Sequence, residues 1–294
     1  MAHCLNIGCL SFRLSVCPDN VRLRFIPLYK EIASQEPWYT RPGSFFHVTI
    51  RISDKLPPTG SPLFTAHDMW RLHLDDETYT LCYPAEGPGS WQVRFAPRSQ
   101  EVTIYCHTSM LRSKAGKTWL LNPLSYPVDQ LLLMYLLAFR RGAVLHAAGV
   151  AREKSALLFL GRSGAGKSTM ATLCQQSGAY EVINDDRMVA HIQGRDVLTF
   201  GTPWPGRAGF ANFKARSIRA LCFLSQSKRN RLQPLTVQQA LESLLPVASI
   251  PWYDRAVFPR VLAFCDQLIR QVPAYVLEFA PRTDVLNLVQ QLFD

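Results

Sequence analysis

Runs of alternating apolar and polar residues dominate the first third of the chain. Residues 10–16, 46–52 and 91–95 alternate with a period of two, and residues 102–105 are β-branched and aromatic. This period is typical of half-buried β-strands. The pattern therefore predicts a β-rich N-terminal domain over residues 1–107, in which we find no group of residues suited to catalysis.

The rest of the chain mixes strand and helix patterns. Residues 108–126 are predicted as a connector, and helical spacing from Pro127 predicts a helix that ends near Gly142. Short apolar runs then alternate with helical segments, as in an α/β or α+β nucleotide-binding core, so we expect a second domain over residues 127–294. Its predicted elements are strands at 143–150, 156–160, 181–184, 218–224 and 274–279, a hairpin of 189–193 with 197–200, and helices at 167–176, 236–245, 254–270 and 283–293.

A glycine-rich loop lies between a continuous apolar run and a helical pattern. The loop reads Gly161-Arg162-Ser163-Gly164-Ala165-Gly166-Lys167-Ser168-Thr169. Its order and context match a Walker A motif, or P-loop. Glycine allows the backbone to turn N–H groups toward phosphates, Lys167 can reach the β- and γ-phosphates, and the Ser168 hydroxyl can bind Mg²⁺. These nine residues are the predicted site for ATP with Mg²⁺, and the alternative is a chance match in a glycine-rich loop.

Two adjacent carboxylates, Asp185 and Asp186, follow the apolar run that ends at Asn184. Consecutive strand residues point to opposite faces, so both can serve one site only if the strand ends there and the chain turns. One carboxylate would then lie near Mg²⁺, and the other would accept the proton of an attacking hydroxyl as a general base. The alternative is a solvent-exposed Asp-Asp turn, and the residues alone do not divide the two roles.

Three segments together resemble the HPr kinase/phosphorylase-type fold, over roughly residues 128–294. They are Leu145-His146-Ala147-Ala148-Gly149-Val150, the glycine-rich loop, and Asn184-Asp185-Asp186. ATP-dependent phosphoenolpyruvate carboxykinases have a similar arrangement. The resemblance implies that His146 lies near the phosphates, although a core histidine is the plain alternative. It makes Asp185 the closer match to the catalytic acid, which leaves Ser168 and Asp186 as the predicted metal ligands.

The chain departs from the HPr kinases downstream of these segments. It lacks their signature for the protein substrate and for dephosphorylation, and has Gly201-Thr202-Pro203-Trp204-Pro205-Gly206-Arg207 instead. This loop resembles HPr-kinase-related proteins of bacterial peptide-modification and cofactor gene clusters. Arg207 is a predicted catalytic residue that would neutralise charge on the transferred phosphoryl group, and the alternative is a surface arginine in a structural turn.

Composition narrows the class of protein. The chain has 294 residues, of which 48% are apolar, and eight cysteines without a CxxC pair, which indicates free thiols in a reducing compartment. The net charge of +10 is spread along the chain without a nucleic-acid-binding motif. The most apolar run, 131–139, is shorter than the ~20 residues of a membrane span. We therefore expect a cytoplasmic protein that binds neither nucleic acid nor membrane.

Together these features predict an ATP-dependent kinase that uses Mg²⁺ and transfers the γ-phosphoryl group to a hydroxyl. The expected acceptor is a serine in a peptide, protein or small molecule. The alternative is a regulatory ATP-binding module that acts through partner contacts without catalysis. The resemblance also implies self-association, and the sequence does not identify the acceptor.

Overall fold

The computed structural model describes residues 3–34, 36, 43–67, 69–83 and 91–294 of the chain. Contacts divide the chain into two compact units, Met1–Leu136 and Leu137–Asp294. Both units contain large β-sheets, and helices are few, so the fold is of the mixed α/β class that the sequence predicts. No helix in the described part of the chain has the length and apolar character that crossing a bilayer requires.

The first unit is rich in β-structure, as the alternating pattern predicts. Nine of its strands form one sheet in the order β4-β1-β2-β5-β10-β9-β8-β7-β6. The elements of this unit are β1 (His3–Ile7), β2 (Leu10–Cys17), β3 (Val21–Arg24), α1 (Pro27–Glu31), β4 (Ala33–Ser34), β5 (Phe45–Ser53), β6 (Pro62–Ala66), β7 (Trp70–Asp75), β8 (Thr78–Tyr83), β9 (Trp91–Phe95), β10 (Glu101–His107), β11 (Arg112–Lys114) and β12 (Lys117–Leu121). Helix α2 (Val128–Ala138) contains the division between the units.

The centre of this sheet shows why alternation produces it. Strand β5 pairs in parallel with both β2 and β10, and its buried positions Phe46, Val48 and Ile50 alternate with exposed or half-buried ones. The rings of Phe12 and Phe46 stack with their centroids 5.2 Å apart. Each strand thereby places one apolar face in the core, because alternating apolar and polar residues put all the apolar side chains on the same face.

The predicted connector 108–126 contains two strands, which the sequence analysis missed. Strand β11 pairs antiparallel with β12, and β12 pairs in parallel with β3, so the three strands form a small separate sheet. The sequence of β11 is Arg-Ser-Lys and contains no apolar residue, so its strand structure depends on a partner and not on its own pattern.

The second unit is built on an eight-stranded sheet. Its order is β14-β13-β16-β17-β18-β20-β19, with β15 paired to β13. Because β14 also pairs in parallel with β18, five of these strands form a closed ring. The elements are β13 (Gly142–Arg152), β14 (Ser155–Leu160), α3 (Lys167–Gln176), β15 (Glu181–Asn184), β16 (Arg187–Gln193), β17 (Asp196–Gly201), β18 (Arg216–Gln226), β19 (Arg231–Pro234), α4 (Val237–Leu244), α5 (Phe258–Gln271), β20 (Ala274–Phe279) and α6 (Leu286–Phe293).

Helix boundaries follow local capping chemistry. Thr236 caps α4 in a reciprocal capping box with Gln239, so the predicted N-cap is confirmed. The prediction that a helix starts at residue 254 is wrong, because α5 begins at Phe258. The Asp254 carboxylate instead accepts hydrogen bonds from the N–H groups of Ala256 and Val257, which forms a turn before the helix.

The core of the second unit supports the strand that leads into the glycine-rich loop. Leu157 and Phe159 of β14 are fully buried, and they cluster with Met170, Ala171 and Cys174 of helix α3. Strand, loop and helix are therefore fixed relative to one another, since the strand and the helix share one apolar interior.

Candidate functional site

The 161–168 loop joins the buried strand β14 to the start of helix α3. Gly164 and Gly166 have positive φ values of 85° and 101°, a backbone region that favours glycine. At Gly166 an added Cβ would also lie 2.4 Å from Cζ of Phe279. The first turn of a helix leaves its N–H groups without acceptors inside the helix, and Gly166 supplies no side-chain cap. The loop and the helix start therefore have the geometry of an anion site.

Lys167, the first residue of α3, is only 6% exposed. Its Nζ donates to the carbonyl oxygens of Gly161 at 2.9 Å and Arg162 at 3.2 Å. Burial lowers the pKa of Lys167, while the nearby carboxylates of Asp186 and Asp185 act in the opposite direction. The ammonium group thus lies inside the loop and within the field of both aspartates, where it can bind an anion.

Asp185 lies where strand β15 ends and the chain turns, and only 1% of it is exposed. Its Oδ2 lies 3.5 Å from Oγ of Ser168, at the limit of a hydrogen bond. Its two oxygens also accept hydrogen bonds from the N–H groups of Gly206 and Ala208, each 2.9 Å long. The carboxylate is therefore held in one position, beside the hydroxyl at the start of α3.

Asp186 faces a different set of partners. Its Oδ1 lies 2.9 Å from Nε2 of His146, and its Oδ2 lies 3.2 Å from Nε of Arg187. The hydrogen bond with His146 is the main cause that lowers the pKa of Asp186. Arg187 and Lys167 act in the same direction, and burial opposes them. Asp186 is therefore a half-buried carboxylate that stays ionised at neutral pH.

Asn184 builds the turn that separates the two carboxylates. Its side-chain oxygen accepts from the N–H groups of Asp186 and Arg187, and its Nδ2 donates to the carbonyl of Thr202. The Thr202 hydroxyl in turn donates to the carbonyl of Arg187. These bonds tie the aspartate turn to the 201–207 loop. The sequence predicts no role for Asn184, although Asn before a polar turn is a recognised turn signal.

The remaining predicted site residues lie at the rim. Arg162, Ser163, Gly164, Thr169 and Arg207 are exposed to solvent. Ala165 is half-buried, and its N–H donates to the carbonyl of Arg162 at 3.1 Å, which tightens the loop. Arg207 forms no ion pair with a carboxylate of the described residues, so its catalytic role stays a prediction.

The 201–207 loop contacts the site through its backbone. The N–H of Gly206 donates to the Asp185 carboxylate. The 161–168 loop has a separate contact, in which Nε2 of Gln226, at the end of β18, donates a hydrogen bond of 2.6 Å to the carbonyl of Gly164. Sequence reasoning did not find Gln226, or the backbone donors of Gly206 and Ala208. Backbone N–H groups carry no side-chain signature, and only the Gly-Pro content of the loop indicated a fixed turn.

Within the described residues, no group of three or more His, Cys, Asp or Glu side chains could hold a metal ion on its own. Mg²⁺ usually takes one or two carboxylates and completes its six oxygen ligands with water and substrate phosphates. The Asp185 carboxylate and the Ser168 hydroxyl, 3.5 Å apart, form a donor set of that kind. The residues present thus fit Mg²⁺ only together with a bound phosphate.

Fold and site together define a mixed α/β protein with a glycine-rich strand–loop–helix segment and a pair of carboxylates beside it. A comparison of the sequence with protein families and with curated proteins finds no match. Among solved structures, the HPr(Ser) kinase/phosphatase from Coxiella burnetii aligns at 12% identity, over 51% of this chain and 93% of that chain, with a TM-score of 0.29. This likeness is distant.

Proposed function

We propose that the chain is an ATP-dependent kinase that uses Mg²⁺ and transfers a phosphoryl group to a hydroxyl acceptor. The observation that carries the proposal is the contact between Asp185 Oδ2 and Ser168 Oγ, 3.5 Å apart, beside the buried Lys167. A P-loop serine and a carboxylate from a neighbouring strand are the residues with which P-loop enzymes hold Mg²⁺ at a triphosphate.

The geometry favours a division of roles between the aspartates that reverses the sequence expectation. Asp185 lies against Ser168, and two backbone N–H groups fix it, which suits a metal ligand. Asp186 instead meets His146 and Arg187 and is half-buried, so a substrate can reach it. We therefore assign Asp185 with Ser168 to the metal and Asp186 to the acceptor. The prediction of Ser168 with Asp186 as metal ligands remains an alternative for the experiment below.

Each residue then has a defined task. Lys167 supplies an ammonium group for the phosphate oxygens, and the N–H groups at the start of α3 add further donors. Ser168 and Asp185 would hold Mg²⁺, which would supply charge neutralisation at the phosphates. Asp186 accepts the proton of the acceptor hydroxyl as the hydroxyl oxygen bonds to the γ-phosphorus, while the bond from that phosphorus to the bridging β-phosphate oxygen breaks and ADP leaves. His146 holds the Asp186 carboxylate in place.

We also propose that the acceptor hydroxyl belongs to a serine of a peptide or protein. A test is single-turnover transfer from γ-labelled ATP with Mg²⁺ to an array of serine, threonine and tyrosine peptides, with water as a second acceptor. Wild type should label a peptide or release labelled phosphate. Asp186→Asn should bind ATP and transfer about 10²- to 10⁴-fold more slowly, as loss of a general base does.

Controls separate the alternatives. Asp196→Asn changes an exposed carboxylate in strand β17 and should leave the rate unchanged. If wild type binds ATP and no label moves, the chain is a regulatory ATP-binding module instead. If Asp185→Asn keeps binding Mg²⁺ with ATP and loses transfer, while Asp186→Asn loses the metal, the roles are those predicted from the sequence.

A further inference from the structure

The three-stranded sheet of the first unit has two chemically different faces. Register pairs Arg112 with Trp119 and Trp119 with Arg22, so these three residues share one face. Residues two positions away along each strand share it too, because strand side chains alternate. The opposite face carries no charge: Val21 and Leu120 are buried there, and Ser113 and Thr118 are its polar residues. The cation-bearing face, which we call the basic face, carries Arg22, Arg24, Arg112, Lys114 and Lys117 around Trp119.

The charge of the basic face is not neutralised within the described part of the chain. All five cations are exposed, and strands β3, β11 and β12 contain no Asp or Glu. None of the five forms an ion pair with a described carboxylate, and Arg24 instead lies over the ring of Trp119, 4.2 Å from its centroid. Five like charges on one small sheet repel one another, so an acidic partner would relieve this repulsion.

The same sheet has an open backbone edge. Strand β11 is terminal in the sheet and pairs only with β12 among the described strands. The hairpin between them has two loop residues, Ala115 and Gly116, with positive φ values of 51° and 71°. In such a hairpin the residues flanking the loop, Lys114 and Lys117, form a hydrogen-bonded pair, and bonded pairs alternate with unbonded ones. Ser113 therefore points its N–H and C=O away from β12, toward the open edge.

We propose that the basic face and the β11 edge bind an extended acidic peptide segment as an added strand. The peptide backbone would pair with the outward N–H and C=O of Ser113, as in β-augmentation. Every second side chain of the peptide would lie on the same face as Arg112 and Lys114, because side chains in the peptide strand and in β11 alternate with the same period of two residues. A segment with Asp or Glu at alternate positions fits both the edge and the charge.

Nucleic acid fits this surface less well. Single-stranded nucleic acid is held by aromatic rings on which bases stack. The aromatic ring of the basic face, Trp119, is half-buried and already covered by Arg24 on one side. A phosphate can accept from the outward N–H of β11 but cannot pair with the outward C=O, whereas a peptide strand uses both groups.

The test uses fluorescence anisotropy on the full chain without nucleotide, so its outcome does not depend on phosphoryl transfer. The probe is a labelled synthetic peptide of about ten residues that alternates Glu and Thr, long enough for one strand. Wild type should bind it with an affinity that falls as salt rises. Arg112→Glu with Lys114→Glu should weaken binding about tenfold or more, because two attractions become repulsions.

Three further variants separate charge from backbone pairing. Ser113→Pro removes the outward N–H and leaves the backbone bonds to β12 intact, but it also removes the 3.1 Å hydrogen bond between Ser113 Oγ and Thr118 Oγ1. Ser113→Ala loses that side-chain bond alone and is therefore the reference, relative to which Ser113→Pro should weaken binding about fivefold, as the loss of one hydrogen bond does. Arg195→Glu, an exposed charge reversal in the β16–β17 turn, is the matched control and should leave binding unchanged. Unchanged melting temperatures show that each variant is folded. The proposal is overturned if the acidic peptide does not bind, if Arg195→Glu weakens binding equally, or if an oligo-dT of equal charge binds more tightly than the peptide.

Discussion

Gly206→Ala tests whether the 201–207 loop holds Asp185 in place. A Cβ at this position would lie 2.6 Å from Oδ2 of Asp185, and 3.1 Å from both Cγ of Asp185 and Cβ of Asp186. Carbon–oxygen contacts shorter than about 3.0 Å are repulsive, so the carboxylate or the loop must move. Because the carboxylate is buried and held by two N–H groups, it has little space to move without breaking those bonds.

The size of the effect follows from the bonds at risk. A hydrogen bond to a charged group contributes roughly 1.5–3 kcal/mol, so losing one or both bonds to Asp185 costs about 2–5 kcal/mol of unfolding free energy. For a unit of this size, each kcal/mol lowers the melting temperature by about 2–4 °C. We therefore expect Gly206→Ala to lower the melting temperature by about 4–20 °C.

The assay is thermal unfolding followed by circular dichroism, with Gly60→Ala as the matched control. An added Cβ at Gly60 meets no atom within 4 Å, so that variant should melt within about 2 °C of wild type. If Gly206→Ala has the same melting temperature as the control, the loop does not approach Asp185 as closely as in the structure. The bonds that position the carboxylate would then need another explanation.

Two further predictions concern titratable groups. Burial raises the pKa of Cys106, Cys174 and Cys265 to about 12, whereas Cys17 is the exposed cysteine. The thiol-reactive dye DTNB should therefore modify one thiol quickly at pH 8, and Cys17→Ser should remove that fast phase. The pKa of Asp186 lies below its ordinary value of 3.8, so its charge stabilises the fold above that value, and this contribution is lost as pH falls through the lowered pKa. Asp186→Asn should accordingly destabilise the protein at pH 6 in urea unfolding, and the difference should shrink below pH 3.8. A second fast thiol, or a difference that persists in acid, would contradict these expectations.

Local sequence signals predicted much of the second unit. Helix α3, strand β15 and strand β20 have the predicted bounds of 167–176, 181–184 and 274–279. In each case the apolar pattern lies within the segment and a glycine, a proline or a polar turn lies close beside it, so no distant partner is needed to define it. The capping box of α4 is local in the same way.

Local sequence signals did not predict the features that depend on residues far apart in the chain. Strand β11 has a polar sequence and becomes a strand by pairing with β12. The five cations of the basic face lie in three separate strands, so a scan for charge runs could not find them.

The site shows the same limit. The pattern located the glycine-rich loop and the Asp-Asp turn, because both are contiguous motifs. It could not say which carboxylate meets Ser168, because that contact depends on how β15 ends and how the turn is built by Asn184. The backbone donors of Gly206 and Ala208 come from a loop more than twenty positions away, and nothing in their side chains marks them.

The most direct test of the account is a calorimetric titration of AMP-PNP, a non-hydrolysable ATP analogue, with and without Mg²⁺. In the proposed function, Ser168 and Asp185 would hold the metal and Lys167 would bind the triphosphate. Mg²⁺ should therefore tighten AMP-PNP binding to wild type by about tenfold or more, and Asp185→Asn should remove this gain. An Asp185→Asn protein that keeps the full effect of Mg²⁺, or a wild type that binds no AMP-PNP, would contradict it.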